Sequence, residues 1–90
     1  MNRNISLSKK AESFLSRIPK KHSAQVAKKV LALLENPRPE DSIKMKGSSF
    51  FRVDSGEYRI VYGFDPSCVY VYIIGKRNDG DVYRKAKRVE

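Results

Sequence analysis

Ninety residues with 19 Lys and Arg against 10 Asp and Glu carry a formal charge of +9. A chain this short buries only about 60–65% of its unfolded surface, enough for one hydrophobic core and not two, so residues 1–90 are expected to form a single domain. A hydrophobic share of 40% with nine aromatic rings excludes a disordered basic tail, while the positive excess points to a polyanionic partner, nucleic acid or an acidic protein.

The chain starts with alternation, Ile5 and Leu7 against Asn4, Ser6 and Ser8, which reads as a half-buried strand. Ser8 is a plausible N-cap for a helix of about ten residues, in which Ala11, Phe14, Leu15 and Ile18 share one face until Pro19 ends it. A second stripe follows, Ser23, Val26, Ala27, Val30, Leu31 and Leu34, and stops at Asn36-Pro37-Arg38-Pro39. So short a link makes the two helices an antiparallel hairpin. Their outer faces carry seven cations between Lys9 and Lys29 against Glu12 and Glu35, the pattern of a solvated basic surface.

Beyond residue 42 the period becomes strand-like. Ile43 and Met45 alternate with Lys44 and Lys46, and Phe51 and Val53 with Arg52 and Asp54; after the Ser55-Gly56 turn come the apolar runs Tyr58 to Phe64 and Cys68 to Ile74. These runs are nearly continuous, so both faces of an antiparallel meander are covered, one of them by the helical hairpin. The first strand must join an edge of the same sheet to bury Ile5 and Leu7. The expected fold is α+β, in the order β-α-α-β-β-β with a short C-terminal element around Val82 to Arg84.

Familiar catalytic sets are missing. No phosphate-binding glycine loop is present, and His22, beside Lys20 and Lys21, reads as a solvated surface residue and not a base. One cysteine and one histidine exclude an internal disulfide and a soft-ligand zinc cluster, so no metal or cofactor is expected. No apolar run reaches the roughly 18–20 residues of a membrane span, and Met1 to Ile5 lacks the apolar core of a secretion signal, which makes the cytoplasm the expected location.

What remains is basic and phenolic: Lys44, Lys46, Arg59, the Gly75-Lys76-Arg77 run and Tyr83. A guanidinium between Tyr58 and Ile60 must reach solvent, a carboxylate such as Asp54 or Glu57, or a bound anion. Lys44 and Lys46, as alternate residues of one strand, would lie about 6.8 Å apart on the same face. Their mutual repulsion, about 2 kcal/mol at an effective dielectric of 20, would bring a lysine nearer to useful basicity. As ordinary edge-strand lysines they would simply discourage aggregation.

Asn36-Pro37, Lys44-Met45-Lys46-Gly47, Phe51-Arg52-Val53, Gly56-Glu57-Tyr58-Arg59-Ile60-Val61-Tyr62, Gly75-Lys76-Arg77 and Asp81-Val82-Tyr83, in this order and spacing over nearly the whole chain, resemble the RelE/ParE toxin superfamily of type II toxin–antitoxin systems. The resemblance implies a small α+β sheet with a helical hairpin and a cognate antitoxin that wraps the toxin. RelE-like members cleave mRNA in the ribosomal A site, so mRNA and rRNA are the implied partners, with operator DNA reached only through the antitoxin. ParE-like members instead inhibit DNA gyrase and lack the ribonuclease set; a weakly toxic antitoxin-binding protein is a third possibility.

Carried over residue by residue, the RelE-like pattern implies Lys44, Lys46, Arg77 and Tyr83 as the catalytic set, with Arg59, Arg52, Lys76 and Arg84 binding substrate. Cleavage by attack of a ribose 2′-OH needs a proton acceptor, a donor for the leaving oxygen and positive charge at the phosphate. The arginine fork of Arg77 suits phosphate oxygens, and the Tyr83 ring suits stacking on a base. Where the best-known RelE-like pattern carries a further arginine just before the meander turn, this chain has Asp54.

Overall fold

The computed structural model describes residues 3–77. Strand β1 (Asn4–Leu7) leads directly into helix α1 (Lys9–Arg17), whose N-terminus is capped by the Ser8 hydroxyl accepting from the Ala11 amide at 3.0 Å. Pro19 separates α1 from α2 (Lys20–Ala32), where a missing N–H at the helix entrance costs nothing. Four strands follow, β2 (Ile43–Lys44), β3 (Phe51–Ser55), β4 (Tyr58–Phe64) and β5 (Cys68–Lys76).

The strands form one sheet in the order β1-β5-β4-β3-β2. β2 to β5 are an antiparallel meander, as the alternation implies, while β1 pairs parallel to β5, with Ile5 beside Val69 and Leu7 beside Val71. The parallel direction follows from the long crossover, since two helices carry the chain back before the meander begins. Four strands follow the helices where the pattern suggested three, because Ile43–Lys44 is a two-residue strand of its own, cut from β3 by the turn at Lys46 and Gly47. The C-terminal element expected around Val82 to Arg84 lies outside the described residues.

One core fills the space between sheet and helices. Ala11 of α1, Val26 and Val30 of α2, and Leu33 at the α2 C-cap pack against Val53, Tyr58, Ile60, Tyr62, Val69 and Val71. Leu33 is fully buried, whereas Ala27 and Leu31, expected in the α2 stripe, face outward, Leu31 at 58% exposure. His22 is also not simply solvated: it is half-buried, its Nδ1 2.7 Å from the Tyr58 hydroxyl and its ring edge-on to the Tyr58 ring. Among the described residues no helix is long and apolar enough to cross a membrane.

The sheet face away from the helices has a smaller apolar cluster. Phe50, Val61 and Ile73 are buried there, with Met45 and Tyr72 packed against them. This cluster explains why β4 and β5 read as nearly continuous apolar runs: Tyr58, Ile60 and Tyr62 serve the helix side, and Val61 and Ile73 the other.

Candidate functional site

Directly paired residues on neighbouring strands project to the same face, so the register assigns each side chain. Val61, which lies on the open face, pairs with Arg52 and Ile73; two residues away, Arg59 pairs with Asp54 and Gly75. Arg52, Asp54 and Arg59 therefore share the open face at the β3–β4 end. Arg77 follows Gly75 with the same alternation, its amide donating to the Glu57 carbonyl at 3.0 Å. Three guanidinium groups thus surround the Asp54 carboxylate on this face.

Arg59 and Asp54 are locked together. Arg59 Nε donates to Asp54 Oδ1 at 2.8 Å and an Arg59 Nη donates to Asp54 Oδ2 at 3.3 Å, a two-pronged fork between side chains 15% and 34% exposed. Of the alternatives for Arg59, solvent, carboxylate or bound anion, it is the carboxylate partner that the structure holds. The Arg59 hydrogen bonds, supported by the charges of Arg59 itself, Arg52 and Arg77, hold the Asp54 carboxyl below the usual carboxylate range against the opposing effect of partial burial. Asp54 is an anion already bound at the arginine cluster.

Beside the cluster lies a row of rings that the sequence reading did not single out. Tyr72 packs on Phe50 with centroids 4.6 Å apart, and Tyr70 stacks nearly parallel to Tyr72 at 6.4 Å. Gly63 makes room for this: a β-carbon there would come within 3.2 Å of the Tyr72 ring. Burial pushes the Tyr72 phenol pKa up. The spacing of Tyr70 and Tyr72 signals a shared strand face, but the β-bulge near Val61 and Tyr62 that sets their register has no sequence mark.

The two lysines are not placed as strand alternation implies. Lys44 pairs with Phe51, which belongs to the helix-side core, so Lys44 projects to the side opposite Arg59. Lys46 lies in the turn after β2 has ended, exposed and next to Met45, whose side chain packs on the open face. The same-face, 6.8 Å premise for their repulsion therefore does not hold, because the Met45 amide bonds to the Phe50 carbonyl and Gly47 turns the chain at φ +77°. Lys76 pairs with Tyr58, which puts it on the helix side. Tyr83 and Arg84 lie outside the described residues.

No sequence-family model matches the chain, and no curated protein matches it either. Solved structures do. A mutant of the E. coli toxin RelE in the free state superposes with a TM-score of 0.81 at 25% identity over 100% of both chains. A mutant E. coli RelE in complex with an antitoxin RelBc peptide gives 0.73 at 26% identity, covering 96% of this chain and 95% of that one. An archaeal RelE–RelB complex from Pyrococcus horikoshii gives 0.73 at 22% identity over 86% and 97%, a likeness of fold. With the whole chain matched at a TM-score of 0.81 and the motif order expected of the family present in the sequence, these neighbours support the RelE-like toxin superfamily for this chain.

Proposed function

We propose that this chain is the toxin of a type II toxin–antitoxin system and that it cleaves mRNA on the ribosome. The observation that carries this reading is the cluster of Arg52, Arg59 and Arg77 around one carboxylate on an open, ring-flanked sheet face. Attack of the 2′-oxygen forms the O2′–P bond and breaks the P–O5′ bond, with a proton leaving the 2′-hydroxyl and one reaching the 5′ oxygen. Negative charge builds on the equatorial phosphate oxygens, and fixed guanidinium groups are suited to stabilise it without reorganising.

In this reading Arg77 and Arg59 hold the scissile phosphate and Arg52 its neighbour. Lys46 is the candidate proton acceptor, and Tyr83 stacks on a base. Lys44 and Lys76 supply contacts to the RNA backbone outside the cluster, and Arg84 is a further candidate for binding it. The ribosome would present the mRNA in the conformation that this face lacks the means to impose. That the E. coli and archaeal neighbours were solved with antitoxins supports a cognate antitoxin for this chain as well. An open cleft of about 350 Å³ between α1 and β5 suits a segment of such a partner, with an apolar floor of Phe14 and Ile74 under a rim of Lys9, Lys10 and Arg17.

The test is to add the purified chain to ribosomes programmed with a defined mRNA and map 5′ ends. New ends in the A-site codon, lost with Arg77→Ala, are expected. Intact mRNA at saturating toxin would refute the nuclease reading, and accumulated gyrase–DNA cleavage complexes would then favour the ParE-like alternative.

A further inference from the structure

Asp54 occupies, on Arg59, the Nε–Nη donor edge, one that a phosphate can use equally well. Carboxylate and phosphate both accept two parallel N–H bonds from a guanidinium fork, and one edge of Arg59 serves only one of them at a time. Arg52 and Arg77 stand close enough to act electrostatically on the same carboxylate. We propose that Asp54 is a built-in competitor for the phosphate subsite, an intramolecular counter-ion that RNA must displace from Arg59 before the arginine cluster can close on the backbone. This rests on the reading of the cluster as an RNA phosphate site.

The consequence is selectivity for how RNA is presented. An ion pair of this partial exposure is closed over open by up to roughly five to one, and a ligand that needs the open form binds more weakly by that factor. Free RNA at low concentration meets that penalty in full, and the resident negative charge repels it besides. RNA fixed against the protein on a larger assembly arrives at a high effective concentration and overcomes it. Asp54 is thus a specificity-determining residue: it keeps the site weak toward stray phosphodiesters without altering the donors that act once substrate is held.

Asp54→Asn is the test, since the amide keeps an oxygen for Arg59 Nε and removes the charge. Titrating the full-length chain with inorganic phosphate, while following the Arg59 Nε–H resonance, is expected to give half-saturation at about a five- to tenfold lower concentration in the variant. A single-stranded RNA 12-mer should bind tighter by a similar factor. A merely structural role for Asp54 would loosen Arg59 and weaken both.

In the unmutated protein, the Asp54 carboxyl carbon resonance should move with the same phosphate midpoint as Arg59, which keeps the test available if the variant folds poorly. Unchanged or weaker phosphate binding in a folded Asp54→Asn, or an Asp54 signal indifferent to phosphate, overturns the proposal. Arginine-dependent mRNA cleavage on ribosomes would survive that result. Conversely, a gain toward phosphate with none toward RNA leaves Asp54 as counter-ion of an anion site and refutes the RNA reading.

Discussion

Arg59→Gln separates the two roles of this arginine because their magnitudes differ. In the folded chain the substitution removes the charge-assisted bonds to Asp54 at 2.8 and 3.3 Å, made by side chains that still touch solvent. Opposite charges paired across strands contribute roughly 0.2–1 kcal/mol, and partial exposure keeps this pair near the upper end of that range and not beyond it. A loss of about 1 kcal/mol lowers the melting temperature of a domain this size by about 4–8 °C. A loss of this size should leave the protein folded at the assay temperature, which the unfolding curve checks. In the reaction, by contrast, a fixed donor aimed at developing charge is worth about 10²–10³ in rate.

Single-turnover cleavage of mRNA on programmed ribosomes, beside thermal unfolding followed by circular dichroism, reads both quantities. The expected result is a small drop in melting temperature with at least a hundredfold drop in cleavage rate. Lys44→Ala, which removes a cation from the helix side of β2, should cost cleavage less. Arg59→Gln cleaving within about threefold of the unmutated rate, or Lys44→Ala losing as much as Arg59→Gln, would refute the assignment of the reaction to the open face.

Three further outcomes follow from the packing. Leu33→Ala empties a fully buried site at the end of α2 and should cost about 2–5 kcal/mol, read as a lower urea midpoint; Leu31→Ala, on the exposed side two residues earlier, should leave the midpoint nearly unchanged. Gly56→Ala forces a β-carbon onto backbone at φ +58° and within 3.1 Å of the Gln25 side chain, for a loss of about 1–2 kcal/mol. Tyr70 donates to Asp65 Oδ2 at 2.9 Å, and that hydrogen bond pushes its phenol up to about 12. A raised folded-state value means that its stabilisation is intact below pH 10 and is lost as pH climbs toward 12. Ultraviolet titration of Asp65→Asn should bring Tyr70 back toward ordinary tyrosine while Tyr62, held up by burial, stays where it is.

The parts of this fold that could be read directly were those where one period dominates. Ala11, Phe14, Leu15 and Ile18 identify α1 because no other spacing fits them, and all four pack on the core. In the α2 stripe Val26, Val30 and Leu34 reach the core as their spacing implies, while Leu33, at i+3 from Val30 and i+7 from Val26, takes the place expected of Leu31, because three chemically alike leucines at 31, 33 and 34 leave the inward face ambiguous. Lys44 and Lys46 alternate with apolar neighbours just as a strand would, yet Gly47-Ser48-Ser49 is turn chemistry, and the Ser48 hydroxyl accepting from the Phe50 amide completes a local bend in place of a strand. Arg59 was legible as a cation in need of a partner; which of Asp54 and Glu57 it took depended on cross-strand register, and register depends on the length of the Gly56 turn.

Much of the net charge of +9 lies apart from the candidate site. The cations of residues 9–35 line α1 and α2, on the helix side of the sheet, where most are exposed and Lys29 is paired with Asp41 at 2.8 Å. Charges of that kind act over about a Debye length and are screened by salt, so they raise the rate of encounter with any polyanion without selecting one. At the open-face cluster Arg52 and Arg59 are partly buried, Arg59 is fixed by the Asp54 carboxylate, and rings lie beside them. On the proposed reading, selectivity between a ribosome-held phosphate and a free one arises where an arginine already has a carboxylate partner, because unpaired positive charge would hold both.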